Sequence, residues 1–531
     1  MEKKMINIEL NYNNAYKWNR KENIYSIGYI YYKNNFYRGE QLSNLLSEIK
    51  IQDLEQFIDE IDGSFTFVIE NEDEIILISD LLRNFPVFYS VDNNLIEIRD
   101  NIMEYEHKIL DENNEIELSY VNYVTGYTTI FKNIYQLEAH QIVKINKMNF
   151  KIERNKYFDY KYNFNDKNDD VLIRELDEIY DRVIKKVIKY LDGRQAVIPL
   201  SGGNDSRLIA YYLTKNNYKN VIAYTYGSEG YSEIETSRKV AEFLGIKWYF
   251  IEYKNRSMQK RFNDKRTYKS MADYCGRGYS TPHIQEWEAI TNLMDRKIIT
   301  KESIIIPGFS GDFLCGSHIH DDLYSKDKVT PEELIKSIYR WQYVNASRPI
   351  ENTNIKDKIK YTLSKDENES LSRNDAIKLF EKFDFEERQT KFVNNAIRTY
   401  DYQGLQWYLP FWDKELILKW LSIPLEKRYS LELFNKFTKT IYNDLMEYAP
   451  IYKIEFKSKI EPPFRNFKKI YRIYDIYKNG FLNFYGYLYF RTYIKYFIKT
   501  KNYAYNKIFS CYYIDYIKKE IKKDNKIIKE G

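Results

Sequence analysis

Along GSFTFVIE (63–70), Phe65, Phe67 and Ile69 alternate with Ser64, Thr66 and Val68. A period of two is the mark of a half-buried strand. The charged turn NEDE follows, then the apolar runs EIILIS and PVFYS, so the first part of the chain reads as a meander of short strands. One stretch with helical spacing, QLSNLLSEI (41–49), precedes it. The polar run NFNDKNDD (163–170) reads as a linker. After it the period changes. VLIRELDEIYDRVIKKVIKYL (171–191) places apolar residues three and four apart, as a helix does. A strand AVIPL, a loop, a helix DSRLIAYYLTK and a strand VIAYTYG (221–227) come next. A helix SEIETSRKVAEFLG (232–245), closed by Gly245, and a strand KWYFIEY (247–253) complete the alternation. Continuous apolar strands alternating with helices predict a parallel sheet with right-handed crossovers. Past about residue 325 the strand pattern fades. The expected remainder is helical, with joints at Pro410, Pro424 and Pro462-Pro463 and no internal repeat.

Composition narrows the class. A length of 531 residues exceeds one ordinary core and predicts two or three domains. Hydrophobic residues at 44% and charged residues at 30% fit a soluble globular protein. Lys+Arg 82 against Asp+Glu 77 leaves +5, spread along the chain, so no nucleic-acid partner is expected. Cys275, Cys315 and Cys511 are odd in number and widely spaced, which predicts neither a disulfide framework nor a zinc site, and suits a reducing cytoplasm. MEKKMINIELNYNN lacks the apolar core of a signal peptide, and no run approaches the roughly 18 apolar residues of a membrane span. His318 and His320 stand two apart with no third ligand in view and read as a solvated loop.

The chemistry sits in AVIPLSGGNDSRLIAYYL (196–213). Ser201-Gly202-Gly203-Asn204-Asp205-Ser206 lies beyond the carboxyl end of a parallel strand, where ligands bind in open α/β sheets. Two glycines let backbone N–H groups converge on an anion, and the following helix adds its positive end. Ser201 and Ser206 can donate to phosphate oxygens. Asp205 would repel a phosphate unless a metal lay between, so it reads as an Mg²⁺ ligand. The loop lacks the spacing and lysine of a Walker A. Arg207, just past the loop, reads either as a helper to the phosphates or as a solvated first-turn residue.

The loop resembles the Ser-Gly-Gly-x-Asp-Ser signature of ATP pyrophosphatases. ESIIIPGFSGDFLCG (302–316) resembles the second signature of the asparagine synthetase family, with Asp312 on its aspartate and Phe313 in place of its glutamate. LPFWDKELILKWLSIPLEKRY (409–429) and FKSKIEPPF (456–464) resemble two later stretches of that family. IDGSFTFVIENEDEIILISDLLRNFPVFYS (61–90) resembles a class II glutamine amidotransferase domain, and TTIFKNIYQLEAHQIVKI (128–145) the join between the two. The chain is thereby similar to asparagine synthetases and their β-lactam synthetase and lasso-peptide cyclase relatives.

The resemblance implies an αββα N-terminal-nucleophile-like domain over residues 1–160. It implies a Rossmann-like ATP-pyrophosphatase domain with a helical C-terminal part over 171–470, and a helical extension over 471–531. It implies ATP and Mg²⁺ as cofactors. Leu200, Ser201, Gly202, Gly203, Asp205, Ser206, Thr225, Ser310 and Gly311 would hold the nucleotide, and Asp205 and Asp312 the metal. Lys459, Lys436 and Gln406 would be the catalytic positions. A carboxylate would be activated as acyl-AMP with loss of pyrophosphate, and an amine or ammonia would then displace AMP.

The chain departs from the family in two places. Glutamine-using members carry a cysteine at position 2, whereas this chain has Glu2 and no cysteine before Cys275. Ile27-Gly28-Tyr29-Ile30-Tyr31-Tyr32 stands where the family has its polar glutamine clamp, so no glutaminase activity is expected. Gln406 stands where relatives carry a glutamate, and an amide is no general base. Either the amine arrives by another route, or Asp413 or Glu415 substitutes, or the synthetase is impaired. The partners expected are small-molecule or peptide carboxylates and amines, or a surface glycan, with a homodimer as an admissible assembly. A non-catalytic ATP-binding partner in a biosynthetic cluster is the alternative. The aromatic, basic stretch 479–501 is expected to pack as a helix on the core, with a membrane surface as the alternative.

Overall fold

The computed structural model describes residues 5–450 apart from 93, 107, 228, 230–231, 254–257, 259, 263, 344–352 and 364–369, and then residue 495 and the helix to 530. Lys459 and the stretch 479–501, residue 495 aside, lie outside the described residues.

The described residues up to 156 carry eleven strands and three α-helices. The strands are β1 (Met5–Glu9), β2 (Asn19–Lys21), β3 (Ile24–Tyr32), β4 (Asn35–Arg38), β5 (Asp62–Glu70), β6 (Glu74–Ser79), β7 (Phe88–Asp92), β8 (Leu95–Arg99), β9 (Tyr135–Gln136), β10 (Gln141–Asn146) and β11 (Ile152–Lys156). The helices are α1 (Glu40–Glu48), α2 (Leu54–Glu60) and α3 (Glu112–Val121). One sheet runs β11-β10-β6-β5-β3-β2 with β4 on β3, and a second runs β1-β8-β7-β9. Val68, Ile75, Leu77 and Val143 of the first sheet pack on Tyr89, Ile96 and Ile98 of the second. The other face, through Phe65, Phe67, Ile76 and Ile78, is covered by Leu42 and Leu46 of α1 and Phe57 and Ile58 of α2. Helices over two sheets give the expected layering, and Phe88 of the second sheet packs on Tyr279 of the later half, ring centroids 6.0 Å apart.

This layering corrects the half-buried reading of 63–70. β5 is buried on both faces, since one faces helices and the other a sheet. Its polar face is tolerated because Thr66 donates to the Phe85 carbonyl at 2.8 Å, satisfying the buried hydroxyl.

Helix α4 (Asp169–Leu191) starts where the Asn168 side chain accepts from the Val171 amide at 2.9 Å. It leads into β12 (Ala196–Pro199), α5 (Asn204–Lys215), β13 (Val221–Gly227), α6 (Ser232–Phe243) and β14 (Lys247–Glu252). β15 (Ile304–Ile305) follows, and β16 (Lys328–Val329) and β17 (Leu371–Ser372) form a small antiparallel pair. β18 (Gln406–Trp407) completes a five-stranded parallel sheet, β14-β13-β12-β15-β18. Strands therefore persist past residue 325. A strand of two residues shows no apolar period, and only its neighbour identifies it. Between them, Asp384–Val393 is a π-helix. A C-terminal helix, Tyr505–Glu530, lies along α3, with Lys518 on Glu115 at 2.5 Å and Ser510 on the Ser119 carbonyl at 3.1 Å.

Candidate functional site

Leu200 leaves β12 buried, its N–H bonded to the Tyr224 carbonyl at 2.8 Å. The glycine-rich loop then closes on itself. The Ser201 amide donates to Ser206 Oγ at 2.9 Å, the two hydroxyls meet at 3.0 Å, and the Gly203 amide donates to Ser201 Oγ at 3.2 Å. The Gly202 amide donates to Glu233 Oε1 at 3.4 Å, from the first turn of α6. Thr225 steadies the strand end, donating to the Leu200 carbonyl at 2.7 Å and accepting from Trp248 Nε1 at 3.0 Å. Arg207 is fully buried, not a solvated first-turn residue. It donates to the Gly202 carbonyl at 3.2 Å and the Ala449 carbonyl at 2.7 Å, so its charge braces the loop from behind.

The second loop is pressed onto the first. A Cβ at Gly308 would lie 2.8 Å from the Ser206 nitrogen, and one at Gly311 2.7 Å from Asp205 Cγ. Only glycine permits this approach. Ser310 takes the left-handed conformation at φ 65° and donates to Gln389 Oε1 of the π-helix at 2.6 Å. The turn aims the Asp312 amide at Asp205 Oδ2, 3.0 Å away. Burial, and then the neighbouring Asp312 carboxylate, push the Asp205 pKa well above the ordinary range. Among the described residues no group of three or more His, Cys, Asp or Glu could hold a metal. The aspartate pair still fits Mg²⁺, which takes one or two carboxylates and fills its shell with phosphate oxygens and water.

Residues 192–449 match the family model for asparagine synthase. This stretch is an asparagine synthase domain. None of the curated proteins compared with the chain matches it. A solved structure, glutamine phosphoribosylpyrophosphate (PRPP) amidotransferase from B. subtilis complexed with ADP and GMP, is similar at 9% identity. That match covers 55% of this chain and 63% of the other at a TM-score of 0.18, too low to carry any inference. The chain thus spans less than two thirds of that protein's length.

Within the asparagine synthase domain, Leu200, Ser201, Gly202, Gly203, Asp205, Ser206, Thr225, Ser310, Gly311 and Asp312 gather around the two touching loops. Gln406 is not brought there. It pairs in register with Ile304, which pairs with Ala196 at the start of β12, whereas the loop follows the end of that strand. Its side chain accepts from Arg194 at 2.8 Å and donates to the Ala15 carbonyl at 3.1 Å. Lys436 is half exposed and bound to Asp169 at 2.7 Å and Glu432 at 2.8 Å. Glu415 meets Arg182 on the surface at 2.6 Å. Asp413 caps the helix Lys414–Leu421 and pairs with Lys186 at 2.5 Å. Lys459 lies outside the described residues.

His318 and His320 are not a solvated loop. His318 Nδ1 meets Asp384 Oδ2 at 2.5 Å, and His320 stacks on Trp341 with centroids 3.8 Å apart. Sequence reasoning missed Glu233 and Gln389, which hold the first and second loops. A glutamate in the first turn after β13 was a readable signal. Gln389, within the charged run DFEERQTKFV, carried none.

In the N-terminal domain the place of the glutamine clamp is filled. A Cβ at Gly28, φ 96°, would overlap the Ser64 carbonyl and the Phe85 ring. The nearest cavity, of about 20 Å³, lies between Tyr29, Asp62, Ser64, Tyr408 and Asp413. That is room for one water. Tyr16, Phe85 and Trp407 form a wall of rings beside it, with centroids 5.0 to 5.8 Å apart.

Proposed function

We propose that the chain joins a carboxylate to an amine at the expense of ATP, releasing AMP and pyrophosphate, with no glutaminase of its own. The observation that carries this reading is the meeting of Asp205 and Asp312 at the mouth of the glycine-rich loop, two carboxylates with no cation beside them among the described residues. Such a pair is electrostatically costly in a bare protein and suits a Mg²⁺-bound triphosphate. When bound, Mg²⁺ would neutralise charge on the departing phosphates. The substrate carboxylate oxygen attacks the α-phosphorus, and the bond to the bridging oxygen of the β-phosphate breaks. The Gly202 amide exchanges Glu233 for a phosphate oxygen, and the Gly203 and Ser201 donors turn from their local partners. Arg207 keeps the loop in shape by holding the Gly202 carbonyl. Lys459 supplies further positive charge. The amine nitrogen then attacks the acyl carbon, the bond to AMP breaks, and the amine loses its proton.

The amine is free ammonia or an amino group of a substrate, because the region resembling a glutamine clamp is filled by Phe85 and Tyr29. A reducing compartment fits, since the buried Cys275 and Cys315 form no disulfide among the described residues. Mixing the protein with Mg-ATP, L-aspartate and ammonium, and following AMP, pyrophosphate and asparagine, tests the reading. Pyrophosphate formed by the wild type and lost in Asp205→Ala supports it. Tight Mg-ATP binding without pyrophosphate release, over a broad set of carboxylates and amines, refutes it in favour of a non-catalytic nucleotide-binding role.

A further inference from the structure

The loop residue between Gly308 and Ser310 is Phe309, and its ring lines a cavity of about 250 Å³ at the carboxyl edge of the parallel sheet. Phe392 and Val393 from the end of the π-helix, with Ala396, complete an apolar wall. For scale, an apolar cavity of about 150 Å³ accepts benzene. One acid, Glu286, faces this space beside His283. Its hydrogen bonding is lopsided. The hydroxyls of Tyr224 and Tyr400 both donate to Oε2, at 2.5 and 2.7 Å. Among the described residues Oε1 has no donor, and no lysine, arginine or histidine pairs with the carboxylate. Glu286 is part-exposed through this opening, which leaves Oε1 open to a donor from a bound molecule. Burial holds the Glu286 carboxyl above its ordinary pKa, and holds His283 down at about 4, so the imidazole near it is uncharged at neutral pH. The cavity therefore offers an apolar wall opposite polar groups of His283, Gln285 and Thr399, with Glu286 as its acid and no cation paired with it among the described residues.

We propose that this cavity receives the non-reacting end of the acyl substrate, an apolar body about the size of one ring that carries an ammonium group paired with Glu286 Oε1. The assignment rests on the carboxylate-activating reading above, since Phe309 joins the cavity to the loop that bears Asp312. It places the substrate among amino carboxylates with an aryl or bulky alkyl side chain, and away from small polar acids. An ammonium on a part-buried carboxylate gains more than the same pair in water.

The test is binding to the full chain, measured by calorimetry and ligand-observed NMR with phenethylammonium and its neutral counterpart, phenethyl alcohol. The wild type is expected to hold the cation at least about tenfold more tightly, a difference of about 1.4 kcal/mol. Glu286→Gln should erase that preference while Mg-ATP binding persists. Ala396→Phe should fill the cavity and exclude both probes, again with Mg-ATP binding retained. Equal binding of the two probes, binding of neither, or wild-type affinity for the cation in both variants overturns the inference. The parent reading fails separately: if the probes behave as expected but no carboxylate supports pyrophosphate release, the cavity stands and the synthetase chemistry falls.

Discussion

Two places in this molecule bring a glycine against foreign backbone, and they end differently. At Gly308 and Gly311 the second loop presses on Ser206 and Asp205, and the space beyond is left to polar atoms. Serine hydroxyls, loop amides and two aspartates with no cation beside them among the described residues gather there. At Gly28 the approach is as close, but Phe85 fills the far side, and Tyr29, Tyr408 and Trp412 close what remains to the volume of one water. Close approach alone makes no site. A site needs charge left uncompensated by the protein: at the second place Asp62 and Asp413 share Lys186, whereas the described residues give Asp205 and Asp312 no such partner.

The comparison breaks most sharply at Asp205. Asp205→Ala should lower ATP-dependent pyrophosphate release on the order of 10³-fold, the scale of several kcal/mol of lost phosphate stabilisation. Activity within tenfold of wild type would remove the aspartate pair from the chemistry. Next in size is the tie between the halves. Lys391 and Glu387 of the π-helix are fully buried, 2.6 Å apart, and clasp Gly126 through its carbonyl and its amide. Lys391→Met strands a buried carboxylate and should cost about 3–5 kcal/mol in denaturant unfolding, with at least half regained by adding Glu387→Met. Full additivity of the two losses would show that they do not act as a pair.

Phe85→Ala should cost up to about 3–5 kcal/mol by opening a core cavity, yet release no glutamate from glutamine. Glutamine turnover in that variant would mean that the filled pocket was only plugged. A smaller effect is expected with pH. Burial opposes charge on His318, but Asp384 overcomes it and raises the histidine pKa. Burial likewise opposes charge on Asp384, and His318 brings its pKa down to about 2. The histidine's contribution is complete below its unfolded value near 6.5 and is lost as pH rises through the raised one. The aspartate's is complete above about 4 and is lost as pH falls toward 2. Thermal unfolding should therefore be highest between about pH 4 and 6.5 as far as this pair decides it, and His318→Asn should flatten the alkaline side. An unchanged slope would exclude the pair as its source. Smallest of all, Lys436→Met should move stability by less than about 1 kcal/mol and pyrophosphate release by less than twofold, because its partners sit at the surface. A large loss of activity would return Lys436 to the catalytic residues.

The apolar period alone located β5, β6, β12, β13 and β14, since each is long enough to show it. The loop at 201–206 and its partner at 308–312 were legible as chemistry, because glycines beside an aspartate at a strand end have few other uses. Gln406 and Lys436 join the catalytic positions only through the family resemblance, by their register with the stretch around Pro410. Tertiary structure decided the rest. Register on β15 holds Gln406 back beside Arg194, five residues short of the loop's level on the sheet. The run DFEERQTKFV is densely charged, yet packing between the two halves buries its Glu386, Glu387 and Lys391 as paired charges. Local sequence sets which segments turn, extend or coil, because those preferences act within a few bonds. Which charges meet, which glycine faces a ring and which faces a ligand depends on contacts between segments a hundred residues apart, and only the folded chain supplies them.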